Sequence, residues 1–276
     1  MATRSERPVY PTWIRSTRVV RFWLLALGMA AIAVVASLFW RPAAALALLA
    51  LPFLYIAILL SLVAHRLGPR GGDLQAKIHD LLIEGAGAQG GLLDVGCGSG
   101  QLLIRFAEVP ASSSSEAVGG RVDGPTSRTS PLVGLDYWGD DWEYSKAQAE
   151  RNAWIEGVTG LDFVRGSASR LPFDDATFAR VVSNMTFHEV GDVADKTASV
   201  VEAIRVLAPG GRFAFVDLFD DRAFYPSRDR VLAVIREAGG EVDAVEALTE
   251  RLDLRWPMSH PRVLKHAVLV TGTKRR

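Results

Sequence analysis

The stretch GLLDVGCGSG, residues 91–100, constrains the fold more than any other part of this chain. Its apolar start reads as a buried strand, and Gly96, Gly98 and Gly100 break it into a loop that opens onto a helical pattern. A glycine loop between strand and helix lets the backbone approach a ligand and presents N–H groups at the helix N-terminus. Two features set it apart from a dinucleotide fingerprint. The third glycine comes one residue early, with Gln101 in its place, and Asp94 stands two residues before the first. A carboxylate there is awkward beside a pyrophosphate but suits an amino group or its bound water.

Around this loop, apolar β-rich runs alternate with helical patterns. Strands are predicted near 91–95, 132–136, 161–165, 178–183, 212–218 and 267–273, with helices near 100–107, 146–156, 195–206 and 228–238. The alternation predicts an α/β domain over 73–276, a doubly wound and mostly parallel sheet. Asp73 is read as the N-cap of a leading helix through Glu84, with Leu74, Ile78, Leu81 and Leu82 on its inner face. Between Glu108 and Pro131 the low-complexity run ASSSSEAVGGRVDGPTSRTS has no apolar period and reads as a disordered surface insertion, at about 108–131.

The N-terminal quarter differs. Phe22–Trp40 carries no charge, and neither does Ala43–Ala64, so each spans about 30 Å of hydrocarbon at about 1.5 Å per helical residue. We read a transmembrane hairpin (22–40 and 43–64) between a basic N-terminus (1–21) and a Gly/Pro linker (65–72), with Trp23 and Trp40 at span ends. Pro52 is tolerable inside a span. A second span follows at once, which argues against a cleaved signal. Arg4, Arg7, Arg15, Arg18 and Arg21 before the hairpin and His65, Arg66 and Arg70 after it outweigh Arg41 in the turn, which places the large domain in the cytoplasm.

Of 31 Lys plus Arg and 31 Asp plus Glu, six arginines and only Glu6 lie up to Arg41, so the remainder holds 25 basic and 30 acidic residues. That mildly acidic surface lacks the field that draws nucleic acid. Cys97 is the only cysteine, which excludes an intramolecular disulfide and a multi-cysteine zinc cage and fits a reducing compartment. His260 and His266 show no metal-ligand spacing. His65 is expected at the membrane interface and His79 in solvent.

LLDVGCGSG resembles the first motif of class I S-adenosylmethionine-dependent methyltransferases, and VGLD (133–136), GSASRLPF (166–173), VVSNMTFHEV (181–190) and IRVLAPGGRFAFVD (204–217) resemble the following blocks in order. The resemblance implies a seven-stranded Rossmann-like methyltransferase fold and S-adenosyl-L-methionine as cofactor. It assigns the methionine end to Asp94, Gly96, Cys97, Gly98 and Gly100, and the ribose hydroxyls to Asp136. It gives the adenine face to Tyr137 or Trp138, either of which can instead belong to the core. Ser167 and Ala168 stand where many relatives carry an acid for the adenine amino group, so that contact lacks charge assistance. Cys97 is read as a small residue that fits the loop.

Asn184, in the fourth motif at the end of the fourth strand, is also counted among the cofactor-binding residues that the resemblance implies. SNMTF lacks the Asn/Asp-Pro-Pro-aromatic signature of enzymes that methylate base or amide nitrogens, which leaves hydroxyl, thiol, amine or carbon acceptors. His188, beside Glu189, is the candidate general base; alternatively FHEV caps the next helix and lines the pocket. The expected function is methyl transfer to a small, hydrophobic or membrane-resident acceptor. Methylation of a membrane protein or translation component, or a non-catalytic cofactor-binding scaffold, are the alternatives.

Overall fold

The computed structural model describes residues 6–109, 131–139 and 142–276. Most of the 108–131 insertion lies outside the described residues. Two compact units emerge: one comprises the N-terminal segment up to Tyr10 with Lys77–Arg255 and Ser259–Arg276, the other Pro11–Ala76 with Trp256–Met258.

The larger unit holds seven strands: β1 (Leu92–Val95), β2 (Leu132–Asp136), β3 (Leu161–Arg165), β4 (Phe178–Asn184), β5 (Leu207–Asp217), β6 (Gly240–Ala247) and β7 (Val268–Lys274). They form one sheet in the order β3-β2-β1-β4-β5-β7-β6, parallel except for β7, which runs antiparallel to both β5 and β6. β6 escaped the sequence reading because GEVDAVEA alternates acids with small residues. It is an outer strand paired only with β7, so its polar edge is solvated. Register aligns the ends of the central strands: Val95 pairs with both Leu135 and Ser183, and Asn184 with Val216. The carboxyl ends of β2, β1, β4 and β5 therefore meet at one edge, where open parallel sheets bind ligands.

The smaller unit contains α1 (Ser16–Phe39), a 3-10 turn over Arg41–Ala50 and α2 (Leu51–Leu67). Ser16–Phe39 and Arg41–Leu67 are each long and apolar enough to cross a membrane. Phe22 and Phe53 rings lie 6.5 Å apart, and Trp23 Nε1 donates to Ser61 Oγ at 3.1 Å, joining the two helices. Three boundaries differ from the sequence expectation. α1 starts at Ser16, so Trp23 lies well inside the helix rather than at its end. Pro52 sits in the first turn of α2, where its missing N–H breaks no intrahelical bond and its fixed φ suits a helix start. α2 also continues to Leu67, taking the first residues of the expected 65–72 linker.

In α3 (Leu74–Ala86), Leu74, Ile78, Leu81 and Leu82 are buried as expected. Asp73 is not an extended N-cap: its φ is +52°. His79 is buried, not solvent-exposed, since α3 is covered on a second stripe as well. Burial, with the Arg105 charge adding to it, drives the His79 pKa down to about 3, so the imidazole is neutral.

Candidate active site

The glycine loop joins β1 to α4 (Gln101–Glu108). Gly96 has φ +81°, and a Cβ there would lie 2.0 Å from Thr186 Oγ1. The residue must therefore be glycine for its backbone and for its contact, and that contact seats the first motif against the fourth. Cys97 fills the space over Gly134, where an added Cβ would lie 2.7 Å from its Sγ. Burial pushes the Cys97 thiol pKa up, with the Asp94 and Asp136 charges adding to it, so it is a packing group rather than a nucleophile.

Asp136, at the end of β2, holds the loop. Its Oδ2 accepts from Gly98 N at 2.9 Å and its Oδ1 from Trp138 N at 2.8 Å. Burial raises its pKa, and these backbone donors work against that rise. Each carboxylate oxygen has two acceptor sites, so capacity remains for hydroxyl donors. Trp138 is buried with φ +43° and donates Nε1–H to Gly98 O at 2.8 Å, so its ring lies against the loop. Tyr137 is exposed, with the Arg165 guanidinium 5.8 Å from its ring centroid. Ser167 is engaged locally: it accepts from Ser169 N at 3.2 Å and pairs with Ser169 Oγ at 2.9 Å, which in turn donates to Asp192. Ala168 beside it is buried.

Two acceptors at this edge stand out. Asp94 is buried, and its Oδ2 has no hydrogen-bond partner among the described residues; Asn184 Oδ1 is in the same condition. Buried acceptors without donors are costly. Burial, with the Asp136 charge adding to it, lifts the Asp94 pKa to about 8. An amino group supplied by a ligand would satisfy such acceptors, and a cationic one would favour the Asp94 carboxylate.

The second half of the site lies at the ends of β4 and β5. A 3-10 turn, Phe187–Glu189, follows β4, anchored by the buried Phe187 ring packed edge-on to Phe215 at 5.2 Å. His188 Nδ1 lies 2.8 Å from Asp217 Oδ1. Asp217, the last residue of β5, is fully buried and also accepts from Phe187 N at 2.8 Å, Leu218 N at 2.7 Å and Tyr225 Oη at 3.2 Å. A carboxylate only accepts, so this geometry puts the imidazole proton on Nδ1 and leaves Nε2 as the acceptor. Nε2 stands 3.6 Å from Glu189 Oε1, too far for a hydrogen bond. Burial opposes charge on His188, but Asp217, by charge and hydrogen bond, with Glu189 and Asp221, outweighs it and raises the pKa. Asp217 was not singled out from sequence; its signal was the acid closing the strand FAFVD.

Residues 93–215 match the family described as a methyltransferase domain. Over that stretch the chain carries a methyltransferase domain. A 61-residue segment is 48% identical to phthiotriol/phenolphthiotriol dimycocerosates methyltransferase of Mycobacterium tuberculosis (strain ATCC 25177 / H37Ra), covering 22% of each protein. Over 176 residues the chain is 26% identical to fatty-acid O-methyltransferase of Mycolicibacterium smegmatis, covering 58% of this chain and 54% of that one. The matched segments thus span about a fifth and about half of these relatives. The solved geranyl diphosphate methyltransferase in complex with S-adenosylmethionine superposes with a TM-score of 0.53 at 17% identity, over 74% of this chain and 87% of that one. That likeness shows the fold of the methyltransferase domain, and the glycine loop, Asp136 and the unpartnered acceptors of Asp94 and Asn184 fit the cofactor.

Proposed function

We propose that this protein transfers a methyl group from S-adenosylmethionine to a hydroxyl oxygen of a lipid-like molecule held at a membrane. The observation that carries the reading is the His188–Asp217 pair at the edge that also bears Asp94 and the glycine loop. The cofactor supplies an electrophilic methyl on a sulfonium and leaves as S-adenosylhomocysteine. On this reading Asp94, Asn184 and Gly96 to Gly100 hold its amino-acid end, Asp136 accepts from its ribose hydroxyls, and Trp138 or Tyr137 borders its adenine.

The protein's own chemistry is proton removal. An alcohol is a poor nucleophile until its proton is taken, whereas a carboxylate or neutral amine needs no base. His188 Nε2 takes that proton as the new O–CH3 bond forms, and Asp217 holds the ring and favours the resulting imidazolium. Alignment of the hydroxyl with the methyl contributes the larger part of the acceleration.

Three observations support a lipid-like acceptor. Two of the matched relatives are named phthiotriol/phenolphthiotriol dimycocerosates methyltransferase and fatty-acid O-methyltransferase. The two apolar helices are long enough to cross a membrane. Their outer faces expose Leu24, Leu27, Ile32, Val34, Leu38 and Leu48. With both ends of the hairpin cytoplasmic, the methyltransferase domain works on the inner face, where tethering raises the effective concentration of a bilayer-confined acceptor. The test is S-adenosylhomocysteine release by the full-length protein in micelles, with long-chain alcohols, fatty acids or no addition. We expect alcohol-dependent release that His188→Ala slows by about a hundredfold. Release with fatty acids but not alcohols, or a loss below about fivefold in the variant, would return His188 to lining the pocket.

A further inference from the structure

Residues ahead of the apolar helices belong to the catalytic unit. Glu6–Tyr10 lie along α5 (Lys146–Glu156), the helix between β2 and β3, and the contact centres on Asn152. Asn152 is fully buried, and its amide is saturated. Oδ1 accepts from Val9 N at 2.9 Å and from Gln148 Nε2 at 2.9 Å; Nδ2 donates to Val9 O at 2.8 Å and to Ser99 O at 2.9 Å. One planar group thus grips both backbone polar atoms of Val9 and, with its second N–H, a carbonyl of the glycine loop. On either side, Glu6 pairs with Arg151, and Tyr10 Oη donates to Glu156 at 3.3 Å. Gln148, Asn152 and Glu156 recur every four residues, so one face of α5 carries the segment.

We infer that Asn152 is a positioning residue that ties the N-terminal segment Glu6–Tyr10 to the glycine loop, so that cofactor affinity depends on residues outside every cofactor motif. The inference rests on the reading of that loop as the cofactor cradle. Ser99 lies between Gly98, which is bonded to Asp136, and Gly100, the residue preceding α4; its carbonyl sets the orientation of the following peptide. Val9 supplies two of the four bonds that fix the Asn152 amide plane. Without Val9 the amide faces water and is free to turn, and the loop loses its brace. The loop must then be ordered by the ligand itself, which lowers affinity.

The experiment titrates S-adenosylmethionine calorimetrically into the full-length protein in detergent, into a variant lacking residues 1–10, into Asn152→Ala and into the combination. Each single change is expected to raise Kd about tenfold. The combination should be no worse than the weaker-binding single variant, because both changes cut one connection. Should Asn152→Ala fail to fold, the deletion alone decides, since it leaves the amide to water. Unchanged affinity in the deletion variant, even with a lowered melting temperature, overturns the inference, as do effects that multiply in the combination. Failure of the unaltered protein to bind would instead overturn the cofactor reading.

Discussion

His188 Nδ1 and Asp217 Oδ1 stand 2.8 Å apart although 29 residues separate them, because β4 and β5 are adjacent parallel strands that end together. Asp217→Asn removes the charge that favours the imidazolium and sets an amide where only an acceptor fits. We expect kcat to fall about a hundredfold or more with S-adenosylmethionine affinity within about twofold, read by steady-state kinetics and calorimetry. Equal activity would show that the pair is structural.

The pH profile follows from the same pair. The His188 pKa is raised above its ordinary 6.5, and a base works only when neutral, so kcat should climb through the raised value and level off above it. Stability moves the opposite way. The imidazolium is favoured in the folded chain, so this stabilisation is complete below 6.5 and is lost as pH rises through the folded value. His188→Gln should abolish the limb in kcat; a limb that persists belongs to another group.

Asp94 predicts a pH dependence of binding rather than of turnover. Its pKa is about 8 in the free protein, while a cationic amino group binds best to the carboxylate. Below pH 8 the ligand must displace a proton, so affinity should rise between about pH 6 and 8, with proton uptake by the buffer visible in calorimetry. Asp94→Asn should flatten that slope. A wild-type affinity independent of pH would remove the amino group from Asp94.

Gly96→Ala puts a methyl 2.0 Å from Thr186 Oγ1 and forces a side chain onto a backbone with φ +81°. The loop must shift away from the fourth motif, and we expect S-adenosylmethionine affinity to fall at least about tenfold. Adding Thr186→Gly should recover part of the loss by removing the clash while leaving the backbone strain. No loss in the single variant would contradict the seating of the loop on Thr186.

Local chemistry was legible in the sequence. The acid and glycines of the loop and the acid closing β2 announce themselves within ten residues or at a strand end, and apolar runs gave every strand but β6, whose outer position permits a polar pattern. Pairings across the fold were not. Thr186 against Gly96, Asp217 behind His188 and Val9 on Asn152 depend on register and packing, and no periodicity links residue 9 to residue 152. His79 went astray for the same reason: one apolar stripe was visible on α3, and the second contact that buries it comes from elsewhere in the fold.

Membranes carrying the full-length protein are supplied with methyl-labelled S-adenosylmethionine, and the label is divided between organic extract and protein pellet. Methylation of a lipid hydroxyl puts the label in the organic extract, in an ether linkage that survives mild alkali, and His188→Ala removes it. Label confined to the protein pellet, or to an alkali-labile ester, would contradict methylation of a lipid hydroxyl.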